Sequence, residues 1–185
     1  MVIPSTPYDT KGLLLAAITS NDPVIFAEPA KIYRAFKQDV PAGFYTVEIG
    51  KARICRTGRD LTIVTYGAQV ILCEKVVDQY VKEHNQVSIE VIDLRSIKPW
   101  DRELVCASVR KTGRLIVVHE AVKSFSVSAE VIATVDKECF DSLKAPSARV
   151  TGYDIIIPFE RGEKYFWVTS QRILKQIEDS LGYNF

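Results

Sequence analysis

His119 and Glu120 close the apolar run LIVVHE and are the most chemically suggestive neighbours in the chain. A histidine beside a carboxylate can move a proton near neutral pH, because burial and nearby charge tune imidazole across that range. The same pair suits a strand-end histidine held by hydrogen bonds at a domain or subunit contact. No nucleophile, second histidine or metal-ligand spacing accompanies it, so a contact role is expected and no catalytic residue is assigned. His84, in the turn HNQ, is expected to face solvent. Asp93 and Arg95 stand two apart in VIDLRSIKPWD, which puts them on one face of an extended chain. They can pair with a partner's charges or fix the sheet edge to the next loop, and the second role is preferred. Trp100 reads as an amphipathic anchor and Asp101 as a helix cap.

Other chemistries lack their signatures. There is no GxGxxG after a strand, no GxxxxGK[ST] and no GxSxG, which removes the usual support for dinucleotide binding, P-loop nucleotides and an α/β-hydrolase. The four cysteines, Cys55, Cys73, Cys106 and Cys139, are widely spaced and read as buried free thiols. A net charge of +1 gives no reason to expect nucleic acid or an anionic membrane as partner. No apolar run reaches the ~18 residues of a membrane helix. The 185 residues, 47% apolar and 25% charged, suit one domain or one plus a fragment of another. The opening MVIPSTPYD lacks signal-peptide and transit-peptide character and reads as a cut made within a longer protein.

The elements that must position these residues follow from periodicity. Asp9 or Thr10 is the expected cap of a helix with Leu13, Leu14, Ala17 and Ile18 on one face. Asn21-Asp22-Pro23 ends it, and Val24 to Glu28 reads as a strand. Residues 39–50 form a linker lying on a surface. Buried strands are expected at LTIVTY (Leu61 to Tyr66), Val87 to Leu94, Leu115 to Glu120 and Ala148 to Thr151. Helices alternate with them: Gln69 to Glu83, Asp101 to Thr112 with Gly113 as its C′ residue, Val127 to Phe140, and Ser170 to Leu181. That alternation predicts an α/β fold, a mostly parallel sheet with helices on both faces. The segment GYDIIIPFERGEKYFWV carries Ile155, Ile156, Ile157, Phe159, Tyr165, Phe166 and Trp167. So apolar a loop must cover a core or meet another chain, and the second is preferred.

Four blocks, TPYDTKGLLLAAI…PVIFAEP, VIDLRSIKPWD, KTGRLIVVHEA and ECFDSLKAPSARVTGYD, resemble the β subunit of thiamine-diphosphate-dependent 2-oxoacid dehydrogenases (the E1 component). The similarity covers essentially the whole chain in order. Pro99-Trp100-Asp101, KGLLLAAI and Tyr33 to Ala35 look more like the branched-chain (2-oxoisovalerate) enzyme than the pyruvate enzyme, which is the alternative.

The resemblance implies residues 1–38 as the end of a pyrimidine-binding domain, an αβ remnant, and 51–185 as a transketolase C-terminal-like domain. A full β subunit is about twice as long, and its first half holds the activating glutamate and catalytic histidine. Thiamine diphosphate and magnesium would belong to the full enzyme and not to this chain alone. Implied partners are the E1 α subunit, a second β subunit in an α2β2 assembly, and the E2 acyltransferase core. The reaction would be oxidative decarboxylation of a 2-oxoacid with acyl transfer to a lipoyl arm. The location would be the mitochondrial matrix in a eukaryote and the cytoplasm otherwise. The resemblance also maps a main-chain potassium site onto Ala17, Ser20 and Asp22, with Ser20 in place of a usual Asp and further ligands in the missing half.

Two segments depart from the family pattern. HEA is normally followed by Pro and then Gly-Gly, where this chain has Val122, Phe125 and Ser126; G-Y-D-T-P-F-P is here Gly152 to Pro158 with three isoleucines. Both are contact loops in the family, so His119, Glu120, Phe125, Tyr153, Asp154 and Phe159 are the expected interface. Phe125 tolerates positive φ poorly. Either the loops are rebuilt around a diverged partner, or the chain is a non-catalytic interaction module.

Overall fold

The computed structural model describes residues 1–183. Helix α1 (Pro7–Thr19) starts behind Thr6, whose hydroxyl oxygen accepts the Asp9 N–H at 3.1 Å. Pro7 occupies the first turn, where its missing N–H costs nothing. The expected cap at Asp9 or Thr10 is therefore corrected to Thr6. Asp9 lies inside the first turn, takes the Thr6 O–H at 2.7 Å and is buried. The expected strand over Val24 to Glu28 does not form. Among the described residues its backbone pairs only with Val2, through one parallel bridge at Phe26, and Val2 itself also bridges Ser96. Residues 39–50 contain neither helix nor strand. Part of that stretch lies against α1, where a Cβ on Gly12 would come within 2.5 Å of Val47.

Strand β1 (Arg53–Arg56) was not foreseen, because its four residues with charged ends offer too little pattern. The regular alternation follows: β2 (Leu61–Thr65), α2 (Gln69–Glu83), β3 (Ile89–Asp93), α3 (Arg102–Thr112), β4 (Leu115–Val118), α4 (Val127–Cys139) and β5 (Ala148–Val150). A short α5 (Glu163–Phe166) precedes α6 (Ser170–Leu181). The sheet order is β1-β3-β2-β4-β5, parallel except for β1, which runs antiparallel to β3. This is the predicted mostly parallel α/β sheet, with an antiparallel edge added.

Alternate residues of the central strands feed two cores. Leu61, Ile63, Ile89, Val91, Ile116 and Val118 pack with α2 and α6. Val64, Ile92, Leu115 and Val117 pack with α3 and α4 on the other face. Burial on both faces explains why these strands read as continuous apolar runs. Among the described residues no helix is long and apolar enough to cross a membrane.

Asp101 caps α3 as expected, accepting the Leu104 N–H at 3.2 Å, and also takes the Ala52 N–H at 3.1 Å. It thus joins the approach to β1 to the start of a core helix. Asp101→Ala removes both acceptors and should lower the unfolding free energy by about 2 kcal/mol in urea titration. Asp101→Asn keeps one oxygen and should lose less.

Candidate functional site

The carboxyl ends of the parallel strands carry two structures, a buried polar cluster and an exposed apolar surface. The cluster begins at Asp93, which ends β3 with no exposed surface. Its carboxylate accepts the Ser5 hydroxyl, the Arg95 N–H at 3.0 Å and the Arg53 guanidinium at 3.5 Å. Burial dominates and pushes the Asp93 carboxyl up to about 6, while Ser5 and Arg53 pull it the other way. Arg95 turns with φ at 55°, reaches Asp9 at 3.0 Å and donates to the carbonyls of Lys51 and Ala52. Asp93 and Arg95 therefore take the structural role preferred above. Ser5, Asp9 and Arg53 complete the cluster, and no motif singles them out because they come from segments far apart in sequence.

His119 and Glu120 lie just beyond β4. His119 has no exposed surface, so it cannot itself touch a partner; its Nε2 meets Ser128 Oγ at 2.8 Å and its ring stacks near Tyr66. Burial holds its pKa down at about 4, which keeps the imidazole neutral at physiological pH. Glu120 accepts from Gln69 Nε2 at 3.4 Å, and no carboxylate hydrogen bond reaches the other histidine nitrogen. The Ser–His contact links the residue after β4 to α4. What it does is pin the start of α4 beneath the following loop. His84, on the far side, is exposed and stacks on Tyr80.

The loop after His119 is clasped to the loop after β5. Asp154 accepts both the N–H and the hydroxyl of Ser124 at 2.8 Å, and these bonds hold its carboxyl below the usual range. Phe125 adopts φ of 51° despite its Cβ and projects fully into solvent. The left-handed backbone is therefore present without glycine. Tyr153 lies under the Arg172 guanidinium, 4.6 Å from its ring centre. Ile156 and Phe159 are 94% and 96% exposed. Phe166 instead turns inward to meet Gly152, where a Cβ would clash at 2.6 Å. Within the apolar tail Phe166 covers the core, and the isoleucines and Phe159 face outward.

At the end of α1, Ser20 donates its N–H to the Ala17 carbonyl at 3.4 Å, and the Asp22 N–H goes to Ser20 Oγ at 3.1 Å. Among the described residues no group of three or more His, Cys, Asp or Glu converges to hold a metal ion. A groove of about 500 Å³, unanticipated from sequence, runs between α1 and residues 28–36, lined by Leu14, Pro29, Ile32, Tyr33 and Phe36.

A family model described as the transketolase C-terminal domain matches residues 50–173, from just before β1 into α6. The chain belongs to this family. Among solved structures, this transketolase C-terminal domain resembles a split-gene transketolase described as an inactive β4 tetramer, with a TM-score of 0.79 at 20% identity over 100% of this chain and 57% of that one. A Pichia stipitis transketolase gives 0.60 at 14% identity over 98% and 25% of the two chains. At those identities the likeness is one of fold. In sequence, the chain is 52% identical over 180 residues to the pyruvate dehydrogenase E1 component subunit beta of Mycoplasma genitalium, covering 97% of this chain and 55% of that protein. For the Bacillus subtilis protein of the same description the values are 46%, 95% and 53%. The chain spans about half the length of these curated relatives.

His119 makes the stability of this transketolase C-terminal domain pH-dependent. Its folded pKa of about 4 lies below the ordinary 6.5, so between those values the unfolded chain binds a proton that the folded chain refuses. Stability from this group is full above pH 6.5 and is lost as pH falls toward 4. Asp93, raised from 3.8 to about 6, acts in the opposite sense: the folded chain holds the proton first, and stability falls as pH rises through that window. The two are separated by His119→Asn, which leaves Asp93 in place. In urea titrations the difference between wild type and His119→Asn should shrink from pH 7.5 to pH 5.

Proposed function

We propose that this chain is the C-terminal portion of the β subunit of a 2-oxoacid dehydrogenase E1 component, and that the enzyme it completes acts on pyruvate. The supporting observation is 52% and 46% identity, across 97% and 95% of the chain, to two β subunits described as pyruvate dehydrogenase components. The branched-chain preference drawn from Pro99-Trp100-Asp101 gives way to it. Those residues serve local needs, since Asp101 caps α3 and Trp100 packs on a core.

In this reading the chain builds assembly surface and contributes no reacting group. Glu120, Phe125, Tyr153, Asp154 and Phe159 would meet the E1 α subunit, a second β subunit or the E2 core, with His119 supporting them from beneath. Thiamine diphosphate and magnesium would be held by other parts of the enzyme. The carbonyls of Ala17, Ser20 and Asp22 lie at and just beyond the end of α1, the first of them also accepting the Ser20 N–H, and we assign them to a potassium site completed elsewhere.

A full-length β subunit carrying this sequence, assembled with its α partner, should decarboxylate pyruvate with kcat/KM at least about tenfold above that for 3-methyl-2-oxobutanoate, the scale of discrimination that small apolar side chains allow. A reversed ratio would overturn the substrate, and turnover by the present chain alone would overturn the scaffold role. Phe159→Asp combined with Ile156→Asp should leave the unfolding midpoint of the chain within error, because both side chains are solvated. The same pair should weaken co-purification of the α subunit by about tenfold or more. Unchanged co-purification would move the interface elsewhere.

A further inference from the structure

Two thiols meet on the face of the sheet away from α2 and α6. Cys106 lies on α3 and Cys139 ends α4, and both belong to the core that joins those helices. Cys139 Sγ is 3.7 Å from the main-chain oxygen of Cys106, and the two thiols are hydrogen-bond neighbours. Both side chains are buried, and what distinguishes them is the cavity beside one of them. Cys106 lines an open cavity of about 640 Å³, together with Lys51, Trp100, Arg102, Arg110 and Glu138, and Cys139 is not among the lining residues. The Cys106 S–H donates to Glu138 Oε2 at 3.6 Å, which gives the thiol proton an acceptor. Arg110 and Lys51 line the same cavity and bring positive charge to its mouth.

We propose that Cys106 and Cys139 form a peroxide-oxidised, thiol-reversible disulfide site, with Cys106 the attacking and Cys139 the resolving residue. Cys106 sulfur attacks one peroxide oxygen, the O–O bond breaks, and hydroxide leaves to combine with the thiol proton as water. Cys139 sulfur then attacks the Cys106 sulfenic acid. The S–O bond breaks, an S–S bond forms, and a second water carries away the Cys139 proton. Two thiols lose two electrons and one peroxide takes them; a small dithiol reverses the step. Burial pushes the Cys139 thiol up to about 11, which suits the second role, and holds Cys55 and Cys73 at about 12. The bridge would tie α3 to α4 across 33 positions of chain.

The test treats the folded chain with a few equivalents of hydrogen peroxide, followed by non-reducing peptide mass mapping. The expected product is a Cys106–Cys139 linked peptide, two hydrogens lighter, reversed by dithiothreitol, with a raised thermal midpoint for the oxidised chain. Cys139→Ser should leave Cys106 as a sulfenic acid that dimedone traps, and Cys106→Ser should leave Cys139 unmodified. Labelling of Cys139 in Cys106→Ser, a Cys55–Cys73 bridge in its place, or oxidation of Cys106 with no bridge would each overturn the proposal.

Discussion

A carboxylate removed from water at the end of β3 constrains everything around it. Asp93 has no exposed surface, and a buried acid persists only where other groups satisfy it. Its partners come from three places: Ser5 before α1, Arg53 in the edge strand, and the backbone of Arg95 just beyond. Each must be in place for the others to be satisfied. Arg95 extends the network to Asp9 and to the carbonyls before β1. The N-terminal segment, the antiparallel edge and the parallel sheet thereby become one packed unit. Val2, bridging Phe26 and Ser96, closes the same seam with backbone bonds.

From that framework the sheet presents its other carboxyl ends as supports. His119 is kept neutral and bonded to Ser128, so β4 and α4 are fixed relative to each other without a charge between them. Above them Asp154 binds both polar groups of Ser124, and two loops become one surface. Phe125, Ile156 and Phe159 are displayed on it and do not pack within the chain. Apolar side chains held outward on clasped loops suit recognition of another protein. The histidine beneath them is neutral and enclosed. The physical division in this half of the sheet is support beneath and exposed apolar surface above.

The branched-chain leaning read from a few residues rests on a short motif that local structure also explains. Pro99-Trp100-Asp101 is shaped by a helix start and by packing against a core, demands that many sequences meet in the same way. Nothing in that local duty depends on a distant 2-oxoacid. Identity spread along nearly the whole chain averages over such local solutions, and there the similarity falls to subunits described for pyruvate.

Periodicity alone determined the parallel α/β layers, because strands buried on both faces and amphipathic helices each impose their own spacing on apolar residues. It also placed the Asp101 cap and the turn at Gly113, whose φ of 75° needs no side chain. Only the tertiary structure decided the rest. Arg53–Arg56 is a strand because β3 lies beside it, and Val24 to Glu28 is not one because only Val2 does. His119 changed from an expected contact to a buried support once Ser128 and Tyr66 closed over it. Ser5, Asp9, Arg53 and Asp93 share no spacing that a sequence can display. Their partnership arises from chain crossings, and hydrogen bonds between distant segments leave no periodic trace.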